Sequence, residues 1–530
     1  MHPKAMELFE EAIGRKNVLT AHSTLREYHA ACIPVSRNID AVLRPDSAEE
    51  VQRIVGIAAE YGVPLYPISS GNNWGYGSSN PVRDHNTIVD LRRMNRIREV
   101  NEELAYAVIE PGVTQGQLAE YLHQKKIPLM IDPTGASPNC SILGNSLERG
   151  YGITPYGDHF SSVCGMEIVL SDGKILKTGF GHYSGAKATH TFKYGVGPYL
   201  DGIFTQSSYG IVTKIGVWLM PEPECFETFV FQTNKEDGIG PLVEAVRPLL
   251  LNEVVKSSIN LMHRNRVLSV MTQYPWDEAE EKTPLSKAVS ENVARDRNIG
   301  AWNGLGALYG SKRHLSASRK TIKKALRGKV DRLEFITSTK IDLLTHFGGL
   351  IGLLLKLNVP ETIKALEPSF GILRGIPSEL TLHQPYWRMK KSPPKSNINP
   401  AHDNCGAFWF SPVIPMAQRF VEEFIGLANP ILARNGFESC ITLTSVTRRA
   451  FDCTLPIYYN KENSDETKRA AACYEELFET CMKEGYIPYR FGIHSMEKET
   501  TRDDVFWDIT RKIKEALDPC GILSPGRYSR

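Results

Sequence analysis

The chain has 530 residues, 42% hydrophobic and 23% charged, with a formal net charge of +2. That length is too great for one hydrophobic core and predicts two large lobes, while the near-neutral balance gives no reason to expect nucleic acid or a membrane surface as partner. The apolar run Phe347 to Leu355, interrupted by glycines, is much too short to span a bilayer. The N-terminus MHPKAMELFEEAIGRKNVL carries acidic residues and a helical period rather than a secretory signal. Ten cysteines without a CxxC pair fit reduced thiols, so a cytoplasmic location is expected.

Residues 5–15 read as a short helix and 47–62 as a longer one, opened by Asp46-Ser47 with Glu50 as its capping-box partner. Val63 to Ile68 reads as a strand. The loop that follows, Ser69 to Ser79, packs three glycines, four serines and two asparagines into eleven residues. Glycines there permit positive φ and let backbone N–H groups converge on an anion, and the serine and asparagine side chains add donors. Such a loop suits a pyrophosphate and hence a dinucleotide cofactor. It is not GxxxxGK[ST], because no lysine follows, and Gly71, Gly75 and Gly77 fall at the wrong intervals for GxGxxG.

A strand, Tyr106 to Ile109, leads into Glu110-Pro-Gly-Val-Thr114, and Thr114 opens a helix over 114–126 with Leu118, Tyr121 and Leu122 at helical spacing. Gly144-Asn-Ser-Leu-Glu-Arg-Gly150 precedes Thr154-Pro-Tyr-Gly-Asp-His159. Met166 to Lys177 reads as a hairpin turning at Asp172-Gly173, and Gly202 to Thr213 closes this half. Past Pro221-Glu-Pro-Glu224, strands such as Thr228 to Thr233 are interleaved with helices at 240–251, 284–295 and 316–327, an α+β pattern with its boundary at the proline-rich joint. Lys390 to Pro400 is polar and proline-rich and reads as an exposed loop.

Together these motifs resemble the flavoprotein family of vanillyl alcohol oxidase and p-cresol methylhydroxylase, densely from about Arg44 to Pro223, again from about Gly485 to Gly526, and more loosely between. The resemblance implies an α+β two-domain flavoprotein. An FAD-binding domain would span residues 1–224 and an α+β cap 225–484; a segment over 485–530 would return to the first domain and close with Asp518-Pro-Cys-Gly-Ile-Leu-Ser-Pro-Gly526. It implies FAD, with Ser69, Ser70, Gly71, Asn72, Asn73, Trp74, Gly75, Gly77 and Ser78 in the phosphate loop. Pro111, Gly112, Gly144, Asn145, Gly150, Asp158, Gly210 and Ile211 would complete the cofactor site. A homodimer is implied, and no metal.

Tyr489-Arg490 matches the Tyr-Arg pair of the family, and Tyr76 the tyrosine facing it across the substrate. Hydride leaves a benzylic carbon more readily if the para hydroxyl is ionised, because the phenolate pushes electrons towards a quinone methide. Arginine stays cationic at any useful pH, and two tyrosine hydroxyls can bond the same oxygen. Flavin N5 would accept the hydride. The expected substrate is a para-substituted phenol, the products hydroxylated, carbonyl or alkenyl, and the electron acceptor oxygen or a cytochrome c-type protein. The alternative is oxidation of a non-phenolic alcohol or hydroxy acid on the same fold.

Two departures from the family stand out. Oxidases carry an aspartate near flavin N5, and that position falls on Ala136, beside Ser137, which leans the reading towards a dehydrogenase. Asp158-His159 is read either as a substitute base or as a loop anchor. The histidine that links FAD covalently in the oxidases falls on Ala407. Tyr386 is the candidate for a tyrosine link, with His402 and Cys405 as alternatives; the competing reading is non-covalent FAD with Tyr386 packed. Trp409 and Phe408 read as pocket or core residues, His494 as a satisfied core histidine in a strand, and Arg319 to Arg327 as a solvated face.

Overall fold

Helices begin where a side chain satisfies their first free N–H groups. In the computed structural model, which describes residues 2–337 and 370–529, Ser47 Oγ accepts from Glu50 N at the head of the helix Ala48–Tyr61, and Glu50 Oε2 accepts from Asp46 N at 2.7 Å. Gly62, in the left-handed conformation, ends that helix. Val63 N still bonds Ala58 O at 2.9 Å, so the strand expected from Val63 starts at Leu65. Thr114 caps Gln115–Gln124 as expected. Two helices shift to the nearest serine cap: Ser286 opens Lys287–Asp296 and Ser311 opens Lys312–Leu326. The first helix is Pro3–Ile13 and that expected at 240–251 is Ile239–Leu251. The apolar run Phe347 to Leu355 lies outside the described residues.

Among the described residues, a four-stranded sheet runs in the spatial order Val18–Leu19, Ile39–Leu43, Asn86–Asp90, Leu65–Ile68, with the last three parallel. A five-stranded antiparallel sheet follows in the order Ile97–Asn101, Tyr106–Ile109, Ile211–Trp218, Val163–Val169, Ile175–Lys177. Its last two strands are the expected hairpin. An eight-stranded sheet begins at Cys225 and includes Cys225–Thr233, Trp302–Gly310, Asn260–His263, Thr442–Thr444, Ala450–Asn460 and Cys405–Phe410. The chain is thus an α+β, two-domain FAD-oxidase fold.

The period-2 alternation of strands gives this large sheet two unlike faces. Leu261, Leu443, Cys453, Leu455, Phe408 and Phe410 point into an apolar core shared with the helices Ile239–Leu251, Lys312–Leu326, Gln418–Arg434 and Ser464–Lys483. Their strand neighbours Asn260, Met262, Thr442, Thr444, Thr454 and Trp409 face a cavity. Phe408 therefore belongs to the core and Trp409 to the cavity. No helix among the described residues is long and apolar enough to cross a membrane, and no group of three or more His, Cys, Asp or Glu side chains among them could hold a metal.

The C-terminus closes back on the N-terminal sheet. Leu65 bridges Leu523 in parallel, and Ile522 and Leu523 share a core with Phe9, Ile13 and Val55. A buried ion pair holds this return: Lys514 Nζ donates to Asp518 Oδ2 at 2.5 Å, to Ser208 O at 2.7 Å and to Leu523 O at 2.6 Å. Lys514→Met would leave Asp518 buried with only the Ile522 and Leu523 amides and no counter-charge, and is expected to destabilise the protein by about 3 kcal/mol or more. Equilibrium denaturation measures this, and an unchanged midpoint would contradict the assignment.

Candidate active site

A cavity of about 490 Å³ lies between the Gly/Ser loop and the polar face of the eight-stranded sheet. The loop curls on itself: Tyr76 N and Ser78 N both bond Asn73 O, at 3.2 and 3.0 Å. Gly75 has φ +76°, and a Cβ on it would lie 1.7 Å from Trp409 Cδ1, so the indole rests directly on loop backbone. Ser69, Ser70, Gly71, Asn72, Asn73, Trp74, Tyr76, Ser78, Gly144, Asn145, Gly150, Gly210, Ile211, Tyr489 and Arg490 all line the cavity, and so does Ala136.

The other expected cofactor residues stand outside the lining. Gly75 and Gly77 are covered by Trp409 and Ile493. Pro111 and Gly112 brace the loop from behind: Ser141 Oγ donates to Pro111 O at 2.6 Å, and Gly112 N donates to Met94 O at 2.7 Å. Asp158 is exposed and accepts from Ser161 N at 3.0 Å. His159 reaches Asn145 Oδ1 at 2.5 Å and Asp132 Oδ2 at 2.8 Å, the position of a loop anchor rather than of a base. Tyr386 is fully buried and donates its hydroxyl to Asp403, while its neighbours Gln384 and Pro385 reach the cavity. His402 is exposed and Cys405 buried. His494 lies outside any strand and both its ring nitrogens are buried without a hydrogen-bond partner; burial pushes its pKa down to about 3. It is a core histidine, but not a satisfied one.

The loop side of the cavity fits a pyrophosphate. Ser78, at φ +54°, buries an Oγ without a hydrogen-bond partner, an unmet demand that a ligand oxygen can satisfy. Gly144 packs so tightly that a Cβ would sit 2.9 Å from Ser69 Oγ, so the helix backbone lies directly against the loop. Ser69, Ser70, Asn72, Asn73 and Ser78 would hold the phosphates of FAD.

At the polar end, segments from both ends of the chain meet. Tyr489 N donates to Ser411 O at 3.1 Å, Gln206 Nε2 donates to Tyr489 O at 3.0 Å, and Ile493 N donates to Tyr76 O at 3.0 Å. These bonds put Arg490 Cζ 3.8 Å from the Tyr76 ring centroid and 5.4 Å from that of Tyr489. Tyr76 donates to Ser411 Oγ at 3.1 Å. Arg490 Nε is buried without a hydrogen-bond partner; Glu148 Oε2 lies 4.0 Å from Nη1, and the other oxygen of that carboxylate pairs with Arg527. Burial pushes the Tyr489 hydroxyl pKa well up, with the charge of Arg490 opposing. Burial by itself would ease the proton off Arg490, but the neighbouring Tyr489 and Tyr76 hydroxyls outweigh it.

Asp452 was not legible as a site residue. It is 1% exposed, accepts from the Tyr151 hydroxyl, and is pushed up to about 7 by burial, with that bond and the Arg490 charge holding it back. Tyr151 packs edge-on against Tyr489 at 5.9 Å and reaches Thr454 Oγ1 at 2.9 Å. The available signal was a lone carboxylate inside the apolar strand Ala450–Asn460.

Fold and cavity together define an FAD-linked oxidoreductase. Residues 39–179 match a family model described as an FAD binding domain, and 451–528 one for the C-terminal domain of FAD linked oxidases. The chain is 37% identical to a 1'-carboxy-chondrochloren decarboxylase of Chondromyces crocatus, over 99% of this chain and 97% of that one. It is 32% identical to the flavoprotein subunit of the hydroxylating 4-cresol dehydrogenase of Pseudomonas putida, over 99% and 95%. The crystal structure of p-cresol methylhydroxylase with substrate bound superposes with a TM-score of 0.89 at 30% identity, over 99% of this chain and 96% of that one. The chain belongs to the vanillyl alcohol oxidase and p-cresol methylhydroxylase family of FAD-dependent flavoproteins.

Because the carboxyl of Asp452 is raised from 3.8 to about 7, the folded state keeps a proton that the unfolded state has already lost. Its contribution to stability therefore falls as pH rises through that window. Asp452→Asn removes this term. Wild type should lose melting temperature relative to the variant between about pH 5 and about pH 8, measured on the FAD-loaded proteins; a pH-independent difference would contradict it.

Proposed function

We propose that this oxidoreductase removes a hydride from the benzylic carbon of a para-substituted phenol. The observation that carries the reading is the buried, unpartnered Nε of Arg490 between the rings of Tyr76 and Tyr489. A phenolate oxygen placed there gains one fixed charge and two hydroxyl donors, with one hydroxyl rotation as the adjustment. Tyr76 would turn its hydroxyl from Ser411 to the ligand. Asp452, neutral below about pH 7 and bound to Tyr151, does not repel the anion. FAD, when bound, supplies the hydride acceptor. Ala136 brings no carboxylate to the cavity, which supports electron transfer to a carrier protein over direct reaction with oxygen. The name of the relative from Chondromyces crocatus favours a substrate that bears a carboxyl group. The same reading divides the chain at 1–224, 225–484 and 485–530, supported by the start of the large sheet at Cys225 and by the return of Tyr489-Arg490 to Tyr76.

Anaerobic addition of 4-ethylphenol should bleach the flavin, and colour should return slowly when air is admitted. Arg490→Met should lower kcat/KM for phenols by about 100-fold or more, most of all for phenols of high pKa. Retained turnover would favour a non-phenolic alcohol or hydroxy acid instead.

The burial of Tyr386 against Asp403 supports a non-covalent cofactor. Acid precipitation should therefore release the yellow colour into the supernatant. Colour kept in the pellet, and lost from it in Tyr386→Phe, would reverse this.

A further inference from the structure

Three guanidiniums line the cavity: Arg490, Arg527, which is paired with Glu148, and Arg266, which phenolate binding does not use. Arg266, on the helix Arg264–Met271, lines the cavity beside Trp409, with its Cζ 5.4 Å from the ring centroid. Its Nη1 donates to the Tyr458 hydroxyl at 2.6 Å, which in turn donates to Gln384 Oε1 at 2.7 Å. These partners are all neutral. The other inward-facing cations nearby are matched: Arg264 by Glu236 and Glu291, Arg388 by Glu438 and Glu466. Arg266 has no ion pair among the described residues. A half-buried cation facing a cavity without a counter-charge favours an anion there, and a planar guanidinium suits a carboxylate taken in two-point fashion.

Position separates this demand from that of Arg490. Thr454, which touches the Tyr151 hydroxyl at the phenol end, and Tyr458, which touches Arg266, lie four residues apart on the strand Ala450–Asn460. Their anchors are therefore about 13 Å apart at the rise of a strand. The two cations therefore reach the cavity beside different points of that strand.

We propose that the substrate carries a carboxylate on its para side chain and that Arg266 binds it while Tyr76, Tyr489 and Arg490 hold the phenolate. The inference rests on the phenol reading above and names the substrate class within it.

The test compares a homologous series of 4-hydroxyphenylalkanoates with matching 4-alkylphenols, by kcat/KM and by anaerobic bleaching of the flavin. Redox-inert 4-hydroxycinnamate and 4-vinylphenol supply Kd values by calorimetry. Wild type should prefer the carboxylates. In Arg266→Met that preference should shrink by roughly 30-fold or more, with the alkylphenols and the FAD content unchanged, and Arg266→Lys should keep most of it. Equal losses in both series would make Arg266 a structural residue, and loss of FAD would assign its charge to the cofactor; either result overturns the proposal. If wild type bleaches with alkylphenols only, the carboxylate assignment falls and the phenol reading stands. If neither series bleaches it, both fall.

Discussion

The stacking of Arg490 on Tyr76 is the contact on which the rest of the site depends. One partner sits in a glycine-rich loop near the start of the chain and the other in a segment near its end. Neither stretch has regular structure that would hold its side chain alone. Hydrogen bonds to their backbones do that work: Ile493 N to Tyr76 O, Tyr489 N to Ser411 O, and the Gln206 side chain to Tyr489 O. The guanidinium is thus fixed over an aromatic face with Nε left open, in surroundings dry enough for its charge to count. The buried Lys514–Asp518 pair serves the same end from further off, because it keeps the C-terminal return locked to the N-terminal sheet.

The eight-stranded sheet supplies the opposite wall. Its apolar face is committed to the helices, so chemistry can only be written on the alternate residues. There the strands present threonines, Asn260, Met262 and Trp409. Asp452 and Tyr458 mark two regions along one strand, the first beside Tyr151, the second beside Arg266. Polar side chains thus line the sheet side of the cavity, and Arg490 and Arg266 reach it at separate points.

Much of the fold could be read from local rules. Ser47 with Glu50, Thr114, the Asp172-Gly173 turn and the Tyr106 to Ile109 strand stand where short-range chemistry puts them. Helix starts drifted where a nearer serine offered a better cap, as at Ser286 and Ser311. Residues of the dense motifs also come together: most of the Ser69 to Ser78 loop, and Tyr489-Arg490, line one cavity. Asp158, Pro111 and Gly112 share the motif but face elsewhere, because a motif marks a loop and not the direction of each member. Tyr386 went the same way, its hydroxyl turned to Asp403.

The sequence by itself determined the class of protein, since glycine spacing, caps and strand alternation are local properties that neighbouring residues enforce. Only the tertiary structure decided which charges are left without partners. Arg266 looks no different in sequence from Arg264 two residues before it, yet one meets two glutamates and the other an open cavity. Asp452 likewise becomes a group titrating at about 7 only because packing removes its water. Solvation and charge pairing depend on what the rest of the chain brings alongside, and no stretch of residues carries that information alone.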